Sequence, residues 1–262
     1  MTLYLSYGAM SSRGYDRETN EDSVYAGPSL LALADGVGGH AAGEIASALL
    51  IRELATLDRR ESVDVLEDLR LAAERGNARI AEHVQAHPSD AGMATTLTAI
   101  RFAAEEGGLV HVGDSRAYLL RDRVLTQITK DETFVQSLVD AGQLTPQEAT
   151  RHPQRSIVLR ALDGTAVEPV LERLDVRVGD RYLICSDGVS DVLSHREIAE
   201  GLLPDDPQQS AIPLVIRAMR AGSHDNVSCI AAYVTDRYMG YRTSLVFGAV
   251  SEVFAMSPQV IR

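Results

Sequence analysis

The chain has no tryptophan, two cysteines and one lysine among its 262 residues. Two cysteines cannot build a disulfide framework, and Cys185 and Cys229 both stand in apolar, strand-like runs, which predicts reduced core thiols in a cytosolic protein. Neither opens a Cys-x5-Arg run, because Asp191 and Thr235 occupy the arginine's place, so phosphate chemistry on a cysteine is unsupported. Basic runs are missing as well. A balance of 37 acidic against 25 basic residues leaves a net charge of -12, which disfavours nucleic-acid and anionic-membrane partners. No window reaches the roughly 20 apolar residues of a spanning helix. The best candidate, residues 245–256, is broken by Ser251 and Glu252, and the first 30 residues hold no basic segment followed by an apolar core. A soluble, cytoplasmic, single-domain protein without membrane insertion is expected.

What is present alternates between strand and helix signatures. Strand-like runs cover residues 29–34, 95–102, 108–113, 117–121, 181–186 and 227–234. Helical spacing joins Ile45, Leu49, Leu50, Leu54 and Leu57, and again Leu66, Leu69, Ala73, Ile80 and Val84. Two successive helices without a strand between them, followed by strands expected to pair as hairpins, for example across residues 113–116, predict an α+β fold. A layered sandwich with antiparallel sheets and paired helices is the economical form. Residues 130–162 read as a polar helical flap in which Thr145, Pro146 and Glu148 form a capping box, and Ser194 with Glu197 repeats that signal. Residues 1–235 are expected to be the folded domain and 236–262 a C-terminal tail or linker.

Gly36, Gly38 and Ala41 satisfy the G-x-G-x-x-A spacing of a dinucleotide-binding turn. Asp35, immediately before the first glycine, would repel a pyrophosphate, and no strand begins within the 30 or so residues that a Rossmann unit allows. The aspartates are the stronger signal. Asp35, Asp114, Asp187 and Asp225 each end or follow an apolar run, with Asp22 a fifth candidate. A single Asp-Gly is ordinarily a turn. Several carboxylates at strand mouths repel one another unless divalent cations neutralise them, and all-oxygen ligation selects Mg²⁺ or Mn²⁺. Two such ions can activate water for phosphate-ester hydrolysis. Arg17, five residues before Asp22, offers a guanidinium for the phosphate.

These residues resemble the metal-dependent serine/threonine protein phosphatases of the PPM (type 2C) family, the actinobacterial branch above all. The motifs run in family order and include RETNED, ADGVGGHAAGE, MATTLTA, HVGDSRAYLLRD, LICSDGVSD and HDNVSCIAAYV. The resemblance implies a four-layer α-β-β-α sandwich with two central antiparallel sheets flanked by helix pairs, plus the flap. It implies hydrolysis of phosphoserine and phosphothreonine by water shared between two tightly bound Mn²⁺ or Mg²⁺ ions, with a weaker third. Asp35 bridges the pair in that scheme, Gly36 offers its carbonyl, and Asp187 and Asp225 complete the site. Glu21 and Asp22 orient the surrounding water, Arg17 binds the substrate phosphate, Asp114 shares a third ion with Asp187, and His40 donates a proton to the leaving group. The implied partners are phosphorylated proteins, Ser/Thr kinases among them, met by a monomer. The alternative is a catalytically weak relative that only binds phosphosites or a partner.

Overall fold

The structure, a computed structural model, describes residues 3–37, 42–58, 60–103, 106–237 and 243–254. The first half runs β1 (Tyr4–Ser12), β2 (Asp22–Ala26), β3 (Leu30–Val37), α1 (Gly43–Ala55), α2 (Val65–Ala86), β4 (Ala94–Thr95), β5 (Leu97–Ala103), β6 (Glu106–Val112), β7 (Arg116–Arg121) and β8 (Val124–Gln127). Then come α3 (Phe134–Asp140), α4 (Pro146–Ala149), β9 (Val170–Asp175), β10 (Arg181–Cys185), α5 (Asp187–Ser190), α6 (His195–Gly201), α7 (Gln208–Arg220), β11 (Val227–Thr235), β12 (Leu245–Gly248) and α8 (Ala249–Val253).

The strands form two antiparallel sheets, one ordered β1-β11-β10-β7-β8 and the other β12-β2-β3-β5-β6-β9, with β4 paired to β3. Period-two alternation assigns each strand face to a different apolar layer. In β3, Leu30, Ala32 and Ala34 join the core under α1 and α2, while Leu31 and Leu33 join the core between the sheets. In β11, Cys229, Ala231 and Tyr233 face α6 and α7, while Ile230, Ala232 and Val234 face the other sheet. Three apolar layers therefore separate four layers of secondary structure, which is the expected α-β-β-α sandwich. Burial on both faces also explains why the central strands read as continuous apolar runs.

The paired helices form where the periodicity places them, and Asp64 caps α2 by accepting from the Leu66 N–H at 3.1 Å. Both capping boxes are present, at Thr145/Glu148 and Ser194/Glu197. The hairpin expected across residues 113–116 does not form. β6 pairs with β5 and β9, whereas β7 pairs with β8 and β10, so the turn carries the chain from one sheet to the other. Gly113 makes that crossover with φ of +102°, a conformation that favours glycine. A second difference lies in the stretch expected to be a tail. β12 pairs with β2, Leu245 opposite Ala26, and Val250 of α8 is buried in the helix-side core. A four-residue strand and a five-residue helix are too short to show a period.

The five-stranded sheet and α7 meet at Gly8, where a Cβ would stand 2.6 Å from the Pro207 carbonyl carbon. Backbone cannot move aside as a side chain can. Gly8→Ala is expected to lower unfolding free energy by roughly 1–3 kcal/mol, read as a lower urea midpoint with an unchanged slope.

Candidate metal centre

Antiparallel pairing of β2 with β3 sets Asp22 directly opposite Asp35. Asp187 is the first residue of α5, two residues beyond the end of β10, and Asp225 stands two residues before the start of β11. Asp114 lies in the crossover between β6 and β7. Both sheets thus deliver carboxylates to one end of the sandwich. Asp22 is fully buried, its Oδ2 accepting from the Ser186 hydroxyl at 3.0 Å, while its Oδ1 is buried without a partner among the described residues. An orphaned carboxylate oxygen at this depth is costly and fits a site completed by a cation and its water.

The loop before β2 is fastened by a residue that motif reasoning passed over. Asn226 accepts from the Glu21 N–H at 2.8 Å and donates to the carbonyls of Arg13 and Thr19 at 3.0 and 2.9 Å. That clamp holds Glu21 and Arg17 beside the carboxylates; the Arg17 guanidinium donates to Asp225 Oδ2 at 2.7 Å and is half exposed. Its available signal was the Asp-Asn pair in HDNVS. Gly36 donates to the Glu21 carbonyl at 3.2 Å, and a Cβ there would meet the Gly43 and Glu21 carbonyl oxygens at 2.5 and 2.8 Å. No side chain fits in that cradle. His40 lies outside the described residues.

Residues 12–227 match the profile described as Protein phosphatase 2C. The chain belongs to the protein phosphatase 2C family. Over 252 residues it is 55% identical to the serine/threonine protein phosphatase PstP of Mycobacterium tuberculosis, an alignment covering 96% of this chain and 49% of that protein. The chain therefore spans about half the length of the curated relative. Protein phosphatase PhpP of Streptococcus pneumoniae is 32% identical, covering 82% of this chain and 92% of PhpP. A crystal structure of the PstP catalytic domain in complex with two manganese ions superposes with a TM-score of 0.85 at 54% identity, covering 90% of this chain and all of that one. The M. tuberculosis PstP/Ppp phosphatase structure gives 0.86 at 56% identity, covering 88% and 98%.

In this carboxylate cluster of the protein phosphatase 2C chain, like charge and burial act together. Asp35 and Asp187 ionise well above the usual carboxylate range, first because burial disfavours the charge, then because other site aspartates repel it. Burial raises Asp114 to about 7, helped by Asp131 and Asp191. Burial, then Glu44, raises Glu21 to about 7. Among the described residues no three His, Cys, Asp or Glu side chains stand close enough together to hold a metal ion by themselves. Asp35 nonetheless feels the charges of Asp22, Asp187, Asp114 and Asp225, and an all-carboxylate cluster of that kind suits hard cations that keep part of their hydration. Beside it a cavity of about 330 Å³ opens under the flap, lined by Asp114, Asp187 and Asp191 on one side and Val135, Val139 and Pro146 on the other.

A carboxylate with a raised folded pKa favours the fold below its unfolded pKa and costs stability as pH climbs through the folded value. For Asp114 that window runs from the ordinary 3.8 to about 7. In chelator, Asp114→Asn should match wild type near pH 4 and exceed it by roughly 1–3 kcal/mol at about pH 8. Urea unfolding across pH measures the gap; a gap that stays constant would remove Asp114 from the buried cluster.

Proposed function

We propose that this chain is a metal-dependent serine/threonine protein phosphatase that hydrolyses phosphoserine and phosphothreonine in proteins, reversing Ser/Thr kinase signalling in a bacterium. The observation that carries the reading is the in-register Asp22–Asp35 pair, with a buried orphan oxygen, at the end of a sandwich that also brings Asp114, Asp187 and Asp225 there. Asp35, the Gly36 carbonyl, Asp187 and Asp225 would hold two Mn²⁺ or Mg²⁺ ions, and Asp114 with Asp187 a weaker third. Bound cations of this kind supply charge for the phosphoryl oxygens and a nucleophile from water at neutral pH. PstP carries two manganese ions in its crystal structure, which supports the same pair here.

The chain's own groups divide the remaining work. Arg17 binds the non-bridging phosphate oxygens with its guanidinium fork, exchanging its contact with Asp225 for substrate. Glu21 and Asp22 orient water around the ions, and the Asn226 clamp keeps both at their posts. His40 gives a proton to the departing serine or threonine oxygen. The flap presents the substrate surface, so partners are phosphoproteins, kinases among them, selected by contacts around the phosphate. Among the described residues no helix is long and apolar enough to cross a membrane, and the free, buried thiols Cys185 and Cys229 suit a reducing, cytoplasmic setting.

Activity on a phosphothreonine peptide should require added Mn²⁺ or Mg²⁺ and vanish in excess EDTA; full turnover in EDTA would overturn the reading. Asp35→Asn and Asp225→Asn should each abolish hydrolysis while circular dichroism shows a folded protein. A phosphosite-binding relative would instead bind the peptide without turnover at any metal concentration. Arg17→Ala should retain two bound Mn²⁺ by calorimetry and lose roughly 10- to 100-fold in kcat/KM, the scale of a charge-assisted hydrogen-bond pair. An unchanged kcat/KM would make Arg17 a surface residue.

A further inference from the structure

His111, near the end of β6 and three residues before Asp114, is 1% exposed. Its Nε2 lies 3.0 Å from the carbonyl of Lys130, the first residue of the flap. A carbonyl only accepts, so Nε2 carries the proton. Burial lowers the imidazole pKa, against the pull of Glu132 and Asp131, so the ring is neutral and Nδ1 is an acceptor. The Thr98 hydroxyl, 2.9 Å away, donates to it. Thr98 in turn accepts from the Ser115 hydroxyl at 2.8 Å, Ser115 lies 3.2 Å from the Thr96 hydroxyl, and Thr96 accepts from the Asp35 N–H at 3.1 Å. The Thr98 hydroxyl shares its proton between His111 Nδ1 and the Ser115 carbonyl at 3.1 Å, and with that branch the hydrogen bonds run from Asp35 through Thr96, Ser115, Thr98 and His111 to the flap.

That chain adds side-chain links to strands already paired in one sheet, with Thr98 directly opposite His111. It crosses β3, the start of β5, the turn that carries Asp114 and the end of β6 before reaching Lys130. Nearby, Glu132 donates its N–H to the Gly113 carbonyl at 2.7 Å and accepts the Gly113 N–H on Oε2 at 3.0 Å. The Glu132 carbonyl accepts from the Leu159 N–H, and the Ile157 carbonyl from the Phe134 N–H, both at 2.8 Å, which closes the flap at its base. The Gly113–Glu132 pair and the Arg116 fork on Asp131 also tie the turn to the flap; His111 is the member that extends the tie through the hydroxyl chain to Asp35.

We propose that His111 is a positioning residue that holds the root of the flap in register with Asp35 and the Asp114 turn, and so governs turnover of substrates large enough to touch the flap. The proposal rests on the phosphatase reading above, and its competitor is a core histidine that contributes stability alone. His111→Asn keeps an acceptor for Thr98 but is too short to reach the Lys130 carbonyl, whereas His111→Gln can extend an amide N–H to it. Both are compared with wild type on a phosphothreonine peptide and on a small aryl phosphate at saturating Mn²⁺. Amide hydrogen exchange at residues 130–134 and 157–159 is measured alongside.

For His111→Asn the peptide kcat/KM should fall roughly three- to ten-fold, mainly through KM, while the aryl ester changes by less than about two-fold. Exchange at the flap root should quicken, and His111→Gln should restore most of both effects. Equal losses on the two substrates, unaltered flap exchange, or a Gln variant no better than Asn would each overturn the proposal. Should His111→Asn not fold, Thr98→Val breaks the same chain one link earlier and is held to the same exchange and kinetic outcomes. A wild type inactive on both substrates would refute the phosphatase reading while the exchange measurements still decided the coupling.

Discussion

Mutual repulsion among buried carboxylates is the constraint on which the architecture turns. Asp22 and Asp35 face each other across two paired strands, and Asp114, Asp187 and Asp225 add their charges from neighbouring strand ends. Such an arrangement disfavours the fold whenever the groups are ionised and unpaired, so the scaffold must hold them against that force. Three apolar layers, buried on both faces of both sheets, provide the opposing free energy. The site is thus expensive by itself and cheap only in the presence of cations, which ties metal binding to stability.

Register carries much of this design. Asp22, Val24 and Ala26 share one face of β2, so a one-residue slip against β3 would turn all three from the inter-sheet side to the helix side. The alternation of Leu31 and Leu33 against Leu30, Ala32 and Ala34 prevents that slip, because each set fills a different layer. Long-range polar ties complete the arrangement. Asn226 binds the backbone of a loop 205 residues earlier in the chain, and Ser186, the residue preceding Asp187, donates its hydroxyl to Asp22 across 164. These ties position charged groups without adding charge.

Arginine's dominance over lysine has a visible use both beside this centre and at the far end of the sheet. Arg116 forks onto Asp131 with contacts of 2.6 to 3.0 Å, and the fully buried Arg101 holds Asp68 at 2.5 Å and the Arg60 carbonyl at 2.9 Å. Planar donors satisfy several acceptors at once, which a lysine ammonium does less well in a partly dry setting. Arg155, 3.6 Å from Asp191, borders both the cavity under the flap and the cleft over Asp225.

Local sterics made much of the fold legible in advance. Helical periods in α1 and α2, capping boxes at α4 and α6, apolar runs in β3, β5, β10 and β11, and the recurrence of aspartate at strand ends all depend on residues within a few positions of one another. Polar strands β1 and β2, rich in serine and tyrosine, were hidden because their signal is a partner and not a pattern. Which sheet a strand joins was beyond local reading for the same reason: β6 and β7 are separated by a three-residue turn yet pair with different neighbours. Likewise β12 has meaning only against β2, and Asn226 only against Arg13, Thr19 and Glu21. The residue types at the site, their order and their spacing were therefore determined by the sequence alone. Tertiary structure decided their convergence, the crossover at Gly113 and the hydrogen-bonded path through His111, because contacts between segments far apart in the chain are chosen by packing as a whole.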